Sequence, residues 1–377
     1  MSTRRRAPIA ISVVTALALL GGCSGGSGRG ATTTARAPST TLVPIDARPA
    51  YAKAGPDVVA ITTLKVADRL IEVFYPARRG SDAGQQPATY DIREPLHDPR
   101  SKPLKFDAEQ LVPLPAFRDL PPAPGQFPVV LFSHDLGGSP LQSATLEADL
   151  TAWGFIVIAP DHTTRDTLAL AQSRATVDDA RDARDLRAAM IAVVASPLVG
   201  NSLDISRVAA VGHSQGGATA LAALALPEVA AAVAWASVAP TGPVVPKPAL
   251  LIGASTDLQY GADVQQRIYA GLTGPKRLVL IGGGAGHATF IDQCAVLREN
   301  GMLPPAGDVK SGNTLIDLAQ NGCYPDEIDP QAVWPVIVHF TVAFLRSVFK
   351  IDRLPVGLGD AIVSAFPKVP VTYVHQP

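Results

Sequence analysis

Residues 212–216 read GHSQG, a serine with a glycine two positions away on either side. Ahead of it runs VAAV (208–211), suited to a strand buried on both faces. Behind it, residues 218–226 are rich in Ala and Leu and favour helix. A strand turning at once into a helix strains its central residue and crowds the positions two away, where glycine removes the collision. Such a turn lifts the Ser214 hydroxyl above the sheet and aims the Gln215 N–H at a developing oxyanion. A serine needs a base to take its proton. His287 follows KRLVLI (276–281) and a glycine-rich segment, and Asp257 follows PALLIGA (248–254). Nucleophile, acid and base thus come in the order Ser…Asp…His, each just past an expected strand end. The chemistry open to this trio is acyl transfer: His287 accepts the Ser214 proton while Asp257 holds the imidazole in the useful tautomer.

The elements that must position these residues alternate. Residues 58–75 hold two apolar-alternating runs and read as leading antiparallel strands. FPVVLF (127–132) is a buried strand running into SHDLGG (133–138), where the Leu136 N–H would supply a second oxyanion donor. FIVIA (155–159) is the next strand, and 178–195 carries apolar residues at helical spacing behind a front half rich in Asp and Arg. A helix is expected near 263–271. Strands alternating with helices argue for an α/β fold with a mostly parallel central sheet and helices on both faces. Residues 77–126, dense in Pro, Asp and Arg, read as an insertion with a short helix near 107–112, either a cover for the site or surface decoration. AVWPVIVHFTVAFLRSVFK (332–350) is too polar for a membrane span and reads as a final helix packed on the sheet. That places the catalytic domain at 51–350, followed by a tail of low periodicity at 351–377.

FSHDLGG (132–138), IAPDH (158–162), GHSQGG (212–217), LLIGASTD (250–257) and GAGHATFIDQC (284–294) together resemble the α/β-hydrolases. More narrowly, they look like bacterial relatives of platelet-activating-factor acetylhydrolase and dienelactone-hydrolase-like esterases. The resemblance covers most of 58–350. It implies Ser214 as nucleophile, His287 as base and Asp257 as orienter, with Leu136 and Gln215 as oxyanion donors. The expected activity is hydrolysis of a small-molecule or lipid carboxylic ester through an acyl-enzyme, with no cofactor and no metal. A serine at the elbow disfavours the Cys chemistry of dienelactone hydrolases and the Asp chemistry of haloalkane dehalogenases. The alternatives are an acyltransferase on the same acyl-enzyme, or a non-catalytic surface-binding protein on a hydrolase scaffold. One position departs from the pattern: Asp135 stands where relatives carry Gly after the His, and a carboxylate there would oppose developing negative charge unless paired or turned away. His213 and His134 read as structural, and Asp161 as a weaker competitor to Asp257.

The N-terminus carries Arg4, Arg5 and Arg6, then an apolar run to Leu20 that is short for a bilayer span. It ends in Leu20-Gly21-Gly22-Cys23, which resembles the lipobox of bacterial lipoproteins and implies a leader at 1–22 and a lipid on Cys23. An ordinary secretory leader with a stray Cys is the other reading. Residues 23–50, opening on a Gly/Ser/Thr/Pro run, read as a flexible tether. The implied location is outside the cytoplasmic membrane of a bacterium, anchored by lipid. If Cys23 is lipidated, Cys294 and Cys323 are left as an even pair in an oxidising compartment, and a disulfide worth about 3 kcal/mol is expected. The chain has 377 residues and a formal net charge of −1, which argues against a nucleic-acid partner. It contains no P-loop, HExxH or CxxC motif.

Overall fold

The structure, a computed structural model, describes residues 43–67, 69–91, 111–292, 294, 321–324 and 327–376. These belong to a unit spanning Val43–Pro377. The segment expected as a leader, Cys23 and most of the segment expected as a tether lie outside the described residues. The end of the segment expected as a tether, from residue 43, packs onto the domain. Ile45–Ala47 forms a 3₁₀ turn whose Ala47 is buried, and the Ile45 and Asp46 carbonyls accept the N–H groups of Gly357 and Gly359.

Among the described residues, twelve strands form two sheets. They are β1 (Val58–Val66), β2 (Arg69–Ala77), β3 (Thr89–Asp91), β4 (Leu111–Pro113), β5 (Phe117–Arg118), β6 (Phe127–Ser133), β7 (Ile156–Pro160), β8 (Leu203–His213), β9 (Val229–Trp235), β10 (Ala249–Ala254), β11 (Lys276–Ile281) and β12 (Val371–Gln376). The main sheet runs β12-β11-β10-β9-β8-β6-β7-β2-β1-β5. From β11 through β7 the pairing is parallel, as their two-sided apolar runs predict, while β2 joins β7 antiparallel and β12 joins β11 antiparallel.

Helices cover both faces. Among the described residues they are α1 (Ala144–Ala152), α2 (Thr167–Ala171), α3 (Asp179–Val194), α4 (Gln215–Ala222), α5 (Ala262–Gly271) and α6 (Pro330–Val348). Alternate residues of β8 feed the two resulting cores. Ala209 and Val211 pack with α1 and α6, Val208 and Ala210 with α3, α4 and α5. Helix α6 is long and apolar enough to cross a membrane by length and composition, yet 67% of its apolar window is buried against the protein. Val336, Ile337 and Phe340 are wholly buried, each worth about 1.5–3 kcal/mol. That offsets Pro335 within the helix, which costs about 3 kcal/mol.

Two expectations are revised. Residues 351–376 are not a loose tail: they return across the α6 face through Ile362 and add β12 to the sheet, pairing Val371 with Ile281 and Gln376 with Lys276. In the insertion, the part of the expected 107–112 helix that is described belongs to strand β4, paired with β3, and 107–110 lie outside the described residues. Buried Tyr90, Leu114 and Ala116 tie the two ends of the insertion into the α1 core.

Candidate active site

Strand β8 ends at His213 and α4 begins at Gln215, so Ser214 is the whole of the turn. It holds φ 56° and ψ −116°, a left-handed conformation that a non-glycine residue adopts only under constraint. The constraint is close packing. A Cβ at Gly212 would run into the Gly216 carbonyl, and one at Gly216 into the Ser133 carbonyl of β6. Ser214 is also pinned by its N–H, which donates to the Trp235 carbonyl at 2.8 Å.

Past β11, His287 opens a 3₁₀ turn, His287–Phe290. Its Nδ1 lies 2.7 Å from Asp257 Oδ2, and the other Asp257 oxygen accepts the N–H groups of Gln259 and Tyr260. Burial works to raise the Asp257 pKa, but the bond with His287 and these backbone donors hold it below the usual range. His213, next to the serine, bridges Gln142 and the His287 carbonyl. Burial drops its pKa to about 4, so it is neutral and structural, as its position suggested. Asp161 lies 3.4 Å from His134, away from His287.

The N–H groups of Leu136 and Gln215 converge on one point, and that point is occupied. Asp135 Oδ1 accepts from Leu136 at 2.5 Å and from Gln215 at 3.3 Å. The other Asp135 oxygen lies 3.6 Å from His287 Nε2, an ion-pair contact. His287 Nε2 itself is buried with no hydrogen-bond partner. Burial acts to raise the Asp135 pKa, but the contact with His287 outweighs it, the Ser214 hydroxyl contributes, and the group is held well below the carboxylate range. Burial alone would lower the His287 pKa. The two flanking carboxylates, Asp135 then Asp257, carry it up to about 9 instead.

Three residues that no motif signalled build the support. Arg165, wholly buried, binds Asp182 at 2.6 Å, Ser133 Oγ at 2.8 Å and the His134 carbonyl, while its own carbonyl accepts the Gly137 N–H. His134 Nε2 accepts the His162 N–H, leaving Nδ1–H to donate to the Asp135 carbonyl, so His134 orders the turn. Gln142 accepts the Asp135 N–H through Oε1 and holds His213 through Nε2. Asn321 Oδ1 accepts the N–H groups of both His287 and Leu258, linking the base's loop to the acid's. The expected Cys294–Cys323 disulfide is present, two residues from Asn321.

Among the described residues two clusters have metal-ligand spacing, Asp135–His213–His287 and His162–Asp182–Asp185. In the first, both His213 ring nitrogens are already engaged; in the second, Arg165 neutralises Asp182. A cavity of about 80 Å³ opens beside the 136–138 loop. Its walls include Ser139, Pro140 and Leu141 with the acids Glu72, Asp91, Asp161 and Asp166, and exclude Ser214 and His287.

A mostly parallel sheet with helices on both faces, a serine elbow and a paired His–Asp at neighbouring strand ends define an α/β-hydrolase, a carboxylic ester hydrolase by class. A comparison with known families matches residues 99–295, just over half the chain, to chlorophyllase. The chain belongs to the chlorophyllase family. A ferulic acid esterase from Streptomyces cinnamoneus has a similar structure, with a TM-score of 0.61 and 23% identity, covering 87% of this chain and 98% of that one. At that identity the likeness concerns the fold. No curated protein matches the chain.

Proposed function

We propose that Ser214 is the nucleophile, His287 its general base and Asp257 the orienter of the base in hydrolysis of a carboxylic ester through an acyl-enzyme. The observation that carries this reading is the 2.7 Å Asp257–His287 bond beside a serine held at φ 56°. In the neutral ring Asp257 fixes the proton on Nδ1, so the Nε2 lone pair is the one available to Ser214. Attack on the ester carbonyl would place negative charge where the Leu136 and Gln215 N–H groups converge, and such donors are worth about 3–4 kcal/mol each. The protonated His287 would then pass its proton to the departing alcohol, and water would resolve the acyl-enzyme.

We read the chain further as a lipoprotein, tethered by lipidated Cys23 outside the cytoplasmic membrane and acting on small-molecule or lipid esters. The support is the Leu20–Cys23 motif together with a disulfide, which suits an oxidising compartment. Palmitate labelling tests the anchor: the wild-type protein should take up label in the membrane fraction and Cys23→Ser should not.

Hydrolysis of p-nitrophenyl esters from acetyl to palmitoyl tests the chemistry and sizes the acyl pocket. Turnover should fall by at least about 10⁴-fold in Ser214→Ala, to the residual level of a disabled triad. Turnover that survives the substitution would assign the activity elsewhere. One observation favours the second reading, a non-catalytic binding protein: the oxyanion site already holds a carboxylate. Failure of the folded protein to react with a fluorophosphonate would favour that reading.

A further inference from the structure

We infer that Asp135 is a built-in occupant of the oxyanion hole that keeps the centre latent until its side chain swings out. The inference rests on the proposed reading of Ser214 as an ester-cleaving nucleophile and concerns how that site is controlled.

Three observations carry it. The first is occupancy. Both donors that a tetrahedral intermediate would need are spent on Asp135 Oδ1. A full carboxylate at a helix N-terminus is a better acceptor than the neutral carbonyl of an incoming ester, so the ester cannot take the donors while Asp135 stays.

The second is the base. Asp135 Oδ2 faces His287 Nε2 at 3.6 Å, and that nitrogen makes no hydrogen bond, to Ser214 or to any other group. The carboxylate therefore holds His287 as the imidazolium, already protonated at the nitrogen that would have to accept the serine proton. One side chain thus blocks both halves of the machinery.

The third is mobility confined to the side chain. The Asp135 backbone is pinned on every side: its N–H by Gln142, its carbonyl by His134, and the His134 carbonyl by Arg165. Beyond the hole, His287 and the Ser214 hydroxyl the carboxylate has no such buried partner, and 22% of its side chain reaches solvent. Rotation about the Cα–Cβ bond would empty the hole without moving the Leu136 or Gln215 donors. When the side chain leaves, His287 Nε2 is freed toward Ser214, so both parts of the site open together.

The test uses the full chain and two readouts that each need an open hole: kcat/KM for p-nitrophenyl acetate and the rate of phosphonylation by a fluorophosphonate. Asp135→Gly empties the hole, and Asp135→Asn keeps its occupant but removes the charge. With near-native circular dichroism and Tm, Asp135→Gly should raise both rates about 100- to 1000-fold, the scale of one oxyanion donor, and Asp135→Asn should raise them less. Adding Ser214→Ala to Asp135→Gly should abolish the gain. If the wild type reacts at Ser214 and neither variant is faster, Asp135 is not an occluding group and the ester reading stands without it. If neither the wild type nor the folded variants react, the ester reading fails and the inference with it. Should Asp135→Gly not fold, Asp135→Asn decides alone: any rate above wild type supports the occluding carboxylate, and a rate at or below wild type overturns it.

Discussion

His287 sits between two carboxylates, and that sandwich sets its protonation. With a pKa of about 9, the ring is charged at neutral pH and cannot accept a proton from Ser214. The charged groups facing it are Asp257 at Nδ1 and Asp135 at Nε2, with neutral His213 and the Tyr260 ring packed alongside. Because the neutral imidazole is the working form, kcat/KM should rise with pH through about 9. Removing the Asp135 charge removes one of the two groups that raise the pKa, so the rise in Asp135→Asn should move toward neutral pH. A profile unchanged between the two proteins would mean that Asp135 does not set the state of the base. Much of this scale was legible from residue type and order. Ser214, Asp257 and His287 each follow an apolar run, and the geometry brings Asp257 and His287 together beside the serine. Asp135 was visible as a departure from pattern, but its direction was not, because one side-chain torsion decides between solvent and the hole. Arg165, Gln142 and Asn321 carried no signal, since their partners, backbone and side chain alike, are brought to them by tertiary packing.

At the scale of elements, the loop bearing His287 depends on a neighbour far along the chain. Asn321 holds the His287 and Leu258 N–H groups, and the Cys294–Cys323 bridge, with 29 residues of separation, fastens the segment that carries Asn321. Replacing both cysteines by Ser should cost about 3–4 kcal/mol and lower kcat as well as Tm, since the base's loop loses its tie. A drop in Tm with kcat unchanged would show that Asn321 holds its place without the bridge. Helix α1 poses a different problem, a buried acid. Both Glu147 oxygens lack partners, and burial holds its pKa well above the usual value; burial likewise pushes Asp292 up to about 7 despite two bonds from Thr145. A raised folded pKa means that the native state binds the proton more tightly than the unfolded chain. Stability is therefore greatest below the ordinary carboxylate range and declines as pH climbs from about 4 through about 7. Glu147→Gln keeps the shape without the ionisation, so it should raise Tm at pH 8 by about 2 °C or more and flatten the Tm–pH curve. A lower Tm in the variant would mean that the carboxyl has a role the amide cannot fill.

Over the whole molecule, the sheet was readable where strands are buried on both faces, as in 127–132, 155–159 and 208–211, because continuous apolar runs admit few other placements. The edges were harder. β12 alternates exposed and half-buried residues and takes its place only because β11 needs a partner along its open side, a demand invisible in 371–376 alone. The short β4 and β5 likewise owe their conformation to β3 and β1 rather than to their own residues. What the chain positions with most care is one strained serine at the centre of the sheet, and the account stands or falls on its reactivity. The direct measurement is mass-spectrometric mapping of the adduct left by a fluorophosphonate on the intact protein. A single adduct on Ser214, formed faster in Asp135→Gly than in the wild type and lost in Ser214→Ala, is the predicted result. No adduct on the folded wild type or on Asp135→Gly, or an adduct on another residue, would contradict it.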